Sequence, residues 1–519
     1  MEIKRETSYV RSIRCPDVYC DSQADYILPD YLGGVRKILF TDATIRPAGR
    51  FAGGEEVEFS GVVVYNVIYL DEEGRLSSAE FTSDYDYSVK CSEEDYRDSV
   101  SDTKIAAFSV RLVGPRKMSA RCSLVGCVRL SEKVGLSIDG DVFEGEYAPE
   151  VDTRLVKIRN TTSSAVCERE YAEEMTRIDG AMADEVSVVY STSEYKPESC
   201  EMCDEGARVK GKLKLISVIY VGDDAPTKLE RQISVDEVVP LDNLKPTAGL
   251  VPRLTVSSLR TEVNATETGC EVVSNLIADI SVLAEHNETV ELTLDCYLKS
   301  SPTDNSYEDL SYQTLSSVCS SSHSHTANIN IGDSELCEIS DVIFLTATPK
   351  IDRVQLEDGD VKLSGEIKYS GVATTSNSDS HSYAGVKFSS PFEINVKYSS
   401  QNDEKTQIEP TLNVNSITAH VDDGNLIVDA VLDLLLTAAS EKSVKILSSS
   451  TARVGEEYDK TGGVITVYYP NESDTLFSVA KRFHTSGLKI ARDNDVSDQV
   501  FAVENENGTL KGIRKLLIY

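Results

Sequence analysis

The chain has 519 residues, and its 52 Lys plus Arg stand against 86 Asp plus Glu, a net charge of −34. A surface this acidic repels polyanions at physiological salt, which excludes nucleic acid and anionic lipid as partners. The polar start MEIKRETSYVRSIRC has no signal-peptide core, and no stretch approaches the roughly 20 apolar residues of a membrane span, so neither export nor membrane insertion is expected.

At roughly 100–200 residues per domain the length predicts three to five domains. From the amino terminus onward one pattern recurs: a Gly/Asp/Glu turn, an alternating strand, a glycine, and a second alternating stretch. It appears as GGEEVEFSGVVVYNVIY around Gly61, DEGARVKGKLKLISVIY around Gly211 and EDGDVKLSGEIKYSGV around Gly365, glycines 150 and 154 residues apart. Val57-x-Phe59, Ala207-x-Val209 and Val361-x-Leu363 alternate at the strand period, which turns one face inward. A glycine inside such a run predicts a bulge or a close backbone approach. Upstream of each copy the sequence predicts a short acidic-capped helix or turn and a strand; downstream, a strand, a turn and a long strand. Asp-Gly in VDDGN (421–425) is the clearest hairpin signal, since it suits a left-handed turn. Residues 1–150, 151–299 and 300–460 are therefore expected to be three β-rich units, the third diverged. Linkers are expected near Val151 to Ala172 and near Ser300 to Thr326, the latter Ser-rich and mobile. Ser440 to Gly463 is expected to tether a terminal module.

That module is 464–519. A β-branched and aromatic run, Val464 to Tyr469, meets a polar turn, Pro470 to Asp474. Leu476, Phe477, Val479, Ala480 and Phe483 then follow the helical period, with Ser473 or Asp474 as the expected cap. A second short helix is expected at Gly487 to Asp493 and a closing strand at Lys515 to Tyr519. The module holds 7 Lys/Arg and 7 Asp/Glu, while residues 1–460 hold 45 against 79. The whole net charge therefore lies in the body.

Chemistry is sparse. Gly206 to Lys212 has the phosphate-loop spacing, but Leu213 stands where a Ser or Thr is needed, and the segment runs into a strand. Cys200-x-x-Cys203 is half a zinc spacing with no second pair beside it. Cys319, His323 and His325 could make three ligands, but in what reads as a Ser-rich loop with no fourth. There is no Gly-x-Ser-x-Gly elbow and no Cys/His nucleophile pair. No catalytic residue, metal or cofactor is expected. The 24 tyrosines read as boundary residues of sheets.

Asp474, Thr475, Leu476, Ser478, Val479, Ala480, Phe483, Asn494, Gly512, Leu516 and Ile518 make the terminal stretch resemble a LysM domain, although Ser473 replaces the family's turn glycine. LPD (28–30), VEFSGVVVYNVIYLDEEG and SVRLVGPRKMSARCSL make the body resemble the SPOCS domains of sporulation-coat proteins. The whole order is similar to the SipL-like members of that family. The resemblance implies a mainly β fold: three β-rich units followed by a small strand-helix-helix-strand domain. It implies a non-enzymatic protein of spore-coat assembly, in the mother-cell cytoplasm at the forespore surface. Its implied partner is a coat morphogenetic ATPase resembling stage IV sporulation protein A; self-association on the coat is a further expectation. The alternative it implies is a module that binds peptidoglycan or N-acetylglucosamine polymers. In either case the family's groove falls on Ser473, Asp474, Thr475, Leu476, Asn494 and Asp495.

Overall fold

Each alternating run must bury one face, and it does so as a long antiparallel strand against a second sheet. The computed structural model describes residues 6–30, 32–92, 94–144, 148–172, 176–222, 225–241, 248–331, 339–357, 359–375, 382–398, 406–453, 455–458, 465–471, 473–496, 509–510 and 512–519. The fold is mainly β.

The first sandwich contains β1 (Glu6–Arg14), β2 (Val18–Ile27), β3 (Lys37–Gly53), β4 (Glu56–Leu70), β5 (Leu76–Lys90), β6 (Tyr96–Gly114) and β7 (Lys117–Ser137). β3, β4 and β5 form one sheet, and β1, β2 and β6 all pair with β7 in the other. The sheets meet over Val57, Val63 and Tyr65 of β4 and Met118, Cys122 and Leu124 of β7.

The second contains β8 (Glu150–Ser163), β9 (Cys167–Ala172), β10 (Thr176–Asp179), β11 (Val186–Cys203), β12 (Gly206–Val221), β13 (Thr227–Pro240), β14 (Gly249–Ala265) and β15 (Gly269–Tyr297). β11, β12 and β13 form the three-stranded sheet; β8, β9, β10 and β14 pair with β15. Leu213 and Leu215 pack on Ala278 and Ile280 between them.

The third contains β16 (Thr303–Asn330), β17 (Ile339–Glu357), β18 (Asp360–Thr375), β19 (Ser382–Lys397), β20 (Thr406–Asp422) and β21 (Asn425–Ala452). β17, β18 and β19 face β16, β21 and β20 across Leu363, Ile367, Leu432 and Leu434. The terminal module has β22 (Thr466–Tyr468), α1 (Leu476–Arg482), α2 (Gly487–Asp493) and β23 (Leu516–Ile518).

Several expectations are corrected. The two expected linkers are strands: Val151 to Ala172 falls largely in β8 and β9, and the Ser-rich stretch lies in β16, paired with β21 along its length. Serine suits it because β16 is an edge strand whose outer side chains need not pack; Ser322 and Thr326 reach Asp433 and Asp429 instead. Cys319, His323 and His325 are therefore strand residues, and the two histidines bond to Ser321 and Ser390. Of the tether, Ser440 to Ala452 belongs to β21, and 459–463 lie outside the described residues. Among the described residues the one helix ahead of a sandwich strand is a 3-10 turn at Asp141–Phe143, before β8; none lies at the expected places ahead of β3, β11 and β17, where 173–175 and 332–338 fall outside the described residues. The Gly206 to Lys212 segment is the start of β12, where Cys203 pairs with Gly206 in a hairpin. The 421–425 hairpin forms as read, with Asp423 and Gly424 at φ 44° and 76°.

Each mid-strand glycine lies on the central strand of a three-stranded sheet, opposite the residue before a bulge. Gly61 pairs with Pro47, Gly211 with Pro197 and Gly365 with Ile351, and the bulges follow at 47–49, 197–199 and 351–353.

The sandwiches close on one another: β5 packs on β11, β13 on β17, and β19 on β3. Phe40, Tyr190 and Phe344 meet where they join, with ring centroids 5.9, 5.1 and 5.3 Å apart pairwise. A bulge immediately precedes each ring; the extra residue re-aims the side chain out of its own sandwich and into the shared cluster. In the other layer Tyr9, Ile158, Val290 and Ile446 form a second shared cluster.

Beside this second cluster lies an ion network. Arg159, only 1% exposed, donates to Glu285 from Nε at 3.0 Å and to Glu409 from Nη2 at 3.0 Å. Arg129 reaches Glu409 at 2.6 Å and Glu285 at 3.6 Å. The four charges come from β7, β8, β15 and β20, so the network ties all three sandwiches together.

Candidate functional site

The terminal module is small, and its core is completed from outside. Leu476, Val479, Ala480, Ile490, Leu516 and Ile518 are buried together with Tyr297, from the end of β15. The Tyr297 hydroxyl donates to the Thr485 carbonyl at 2.6 Å, and its ring meets Phe477 edge-on at 5.2 Å. Lys481 donates to Asp295 at 2.6 Å, and Tyr458 stacks on His484 at 3.4 Å. The module therefore presents α1 and the α1–α2 turn to the body.

The two helices lie where the periodicity places them, but the cap of α1 is Thr475, not Ser473 or Asp474. Thr475 Oγ1 accepts from the Ser478 amide at 3.1 Å, and the Thr475 amide donates to Ser478 Oγ at 3.0 Å, a reciprocal capping box. Asp474 is held elsewhere. Its carboxylate accepts from the Tyr468 hydroxyl at 2.7 Å and the Asn471 amide at 2.8 Å, and these bonds lower its pKa.

Of the six residues read as a groove, four are engaged inside the module. Besides Asp474 and Thr475, Leu476 is core. Asn494 brackets β23, donating to Leu517 O at 2.8 Å and accepting from Leu517 N at 2.7 Å. Ser473 and Asp495 are exposed. The two groups are pinned separately, the turn to Leu510 and Asn494 to Leu517. No hydrogen bond among the described residues joins one group to the other.

What the module offers outward is apolar. Thr466 pairs with Ile518 and Val467 with Leu517. Leu516 and Ile518 point inward, so strand alternation turns Ile465, Val467, Tyr469 and Tyr519 to the other face. These four are 58%, 48%, 69% and 55% exposed. The β-branched and aromatic run Val464 to Tyr469 marked a strand in the sequence but not which of its side chains face outward, and nothing in the sequence around Tyr297 marked it as the module's anchor.

The body supplies little reactive chemistry. Among the described residues no group of three or more His, Cys, Asp or Glu is placed to hold a metal ion. Burial pushes the Cys122 and Cys200 thiols up to about 11, which keeps them protonated and poorly nucleophilic at neutral pH. No described helix is long and apolar enough to cross a membrane. No family model, curated protein or solved structure matches this chain.

Proposed function

We propose that the chain is a non-enzymatic docking protein of spore-coat assembly: three copies of one β unit form a rigid acidic body, and the terminal LysM-like module binds a partner protein. The observation that carries this reading is the outward face of Ile465, Val467, Tyr469 and Tyr519. Four large apolar side chains on one face of a two-stranded sheet suit the apolar core of a protein interface. A glycan site would need convergent free hydrogen-bonding groups, and Asp474, Thr475 and Asn494 spend theirs within the module. The partner implied by the family resemblance is the coat morphogenetic ATPase, met in the mother-cell cytoplasm at the forespore surface. Several such chains on a polymerising partner would add avidity to weak single contacts.

The test is co-purification of that ATPase with the full chain, with Val467→Arg and Tyr469→Glu as variants. Both variants sit on the solvent side of the sheet and are expected to lose the partner while keeping their circular dichroism. Retention of the partner by both variants overturns the reading. Sedimentation with insoluble peptidoglycan, lost on substitution of Ser473 and Asp495, establishes the glycan alternative instead.

A further inference from the structure

A cavity of about 960 Å³ lies where the three sandwiches meet. Its wall includes Arg11 to Pro16 in and just after β1, Arg159 of β8, Gln313 of β16, and Gln407 and Glu409 of β20. The backbone of β1 gives this cavity its character. β1 pairs with β7 and with no other described strand. The amide of Cys15 donates to Val128 O of β7 at 2.9 Å, so in an antiparallel ladder the odd-numbered residues of β1 bond to β7 and the even-numbered ones point away. Val10 obeys this, its amide reaching Glu288 on the far side at 3.3 Å. The outward amides and carbonyls of Ser12 and Arg14 therefore line the cavity as a strand edge that no described strand pairs. Beside them Arg11 Nε and Ser12 Oγ are buried with no hydrogen-bond partner among the described residues. Most charges of the wall are matched: Arg159 with Glu409, Arg14 with Asp17 at 3.2 Å, and Arg11 itself through Nη2 with Glu132 at 3.7 Å, which leaves its Nε as the buried unpaired donor.

We infer that this cavity takes an extended segment of a partner protein that carries a carboxylate side chain and adds to β1 as a further strand. Open edges ordinarily recruit strands, and folds cover or break them unless pairing is wanted. A segment of three residues spans about 10 Å, enough to pair with both Ser12 and Arg14. Its carboxylate would meet Arg11 Nε, the one donor of that guanidinium buried without a hydrogen bond among the described residues, while Nη2 stays with Glu132. The amides of Gln313 and Gln407, which bond each other at 3.4 Å, give the opposite wall neutral polar partners. This site is distinct from the outward face of the terminal module and does not depend on it.

The test uses the full chain and a fluorescein-labelled peptide, Thr-Glu-Val-Glu-Thr, read by anisotropy. Saturable binding is expected, and Arg14→Pro is expected to weaken it about tenfold, the scale of one lost backbone bond. Proline is tolerated on an edge strand where its missing N–H points outward, so pairing with β7 survives. Arg14→Gln, which keeps the amide, should bind better than Arg14→Pro. Arg11→Gln should reduce the preference for this peptide over its Gln-for-Glu counterpart. Deletion of 464–519 should leave binding intact, which separates this site from the module's. If Arg14→Pro unfolds, methylating alternate amides of the peptide gives the same readout from the ligand side, with binding lost in one register only. The inference is wrong if the wild-type chain fails to bind at millimolar peptide, or if backbone changes on either partner have no effect. Full displacement by citrate with no backbone effect would make the cavity a small-anion site and would also overturn it.

Discussion

Tyr297 belongs to the second sandwich by chain, but its hydroxyl bonds the Thr485 carbonyl of the terminal module at 2.6 Å and its ring is part of that module's core. The module is therefore not a free bead on a string; one side chain of the body serves as part of its hydrophobic interior. Tyr297→Phe keeps the ring and loses one hydrogen bond, a cost of about 1 kcal/mol. Tyr297→Ala opens the core and costs roughly 3–5 kcal/mol. Hydrogen exchange of the α1 amides checks this: protection should fall slightly in the first variant and strongly in the second, while β7 and β21 stay protected in both.

Phe344 predicts a different outcome. Its ring touches Phe40 at 5.1 Å and Tyr190 at 5.3 Å, one from each neighbouring sandwich. Phe344→Ala removes about 3–5 kcal/mol of packing from a cluster that no single sandwich owns. The loss should therefore lie in the coupling between sandwiches. Urea unfolding is expected to shift to lower midpoint and to broaden or divide into steps, whereas a comparable truncation inside one core, such as Leu124→Ala, should lower the midpoint without uncoupling the other two.

The ion network adds a pH dependence. Burial alone would raise the Glu409 carboxyl, but Arg129 and Arg159 outweigh it and hold its pKa below the ordinary glutamate value. A depressed native pKa means the network stabilises fully above the unfolded value of about 4.3, and that contribution fades as pH falls through the lower native value. Glu409→Gln leaves Arg159 without one partner in a buried place and is expected to cost about 3 kcal/mol at pH 7. The gap between variant and wild type should narrow below about pH 4, measured as urea midpoints across the acid range.

How much of this was legible in the sequence depended on whether a signal was local. The alternation around Val57, Val209 and Val361 gave the strands because one strand's burial is written in its own residues. The Asp-Gly at 423–424 gave its hairpin for the same reason. The Ser-rich part of β16 was misread as a mobile linker, because its pairing is fixed by β21 more than 100 residues away and serine has no strong strand preference of its own. The Thr475 cap was missed by one position, since Ser473, Asp474 and Thr475 all carry a suitable oxygen and only the turn geometry chooses. In the candidate groove, composition told the residue types but not that Asp474 and Asn494 direct their polar atoms inward. Tyr297 and the open edge of β1 had no sequence signal, because both arise where separate sandwiches meet.

The mid-strand glycines give the sharpest test of what sequence spacing implies. A Cβ added at Gly365 would overlap the Lys350 carbonyl oxygen and lie 3.0 Å from Ile351 Cα. Both are backbone atoms held by the bulge at 351–353, so neither can rotate aside. At Gly61 the added carbon meets the Tyr85 hydroxyl at 2.5 Å, its Cζ at 2.6 Å and the Arg46 carbonyl at 2.7 Å; the tyrosine tip can yield, and the carbonyl is overlapped less deeply than the one at Gly365. Gly365→Ala is therefore expected to cost more than Gly61→Ala, roughly 3 against 2 kcal/mol within the range for overpacked sites. Thermal or urea midpoints rank the two. Pairing Gly61→Ala with Tyr85→Leu should recover part of the smaller loss, because it removes the hydroxyl and ring carbon that the new methyl strikes and leaves only the Arg46 carbonyl. No side-chain truncation should rescue Gly365→Ala, whose obstruction is the main chain itself.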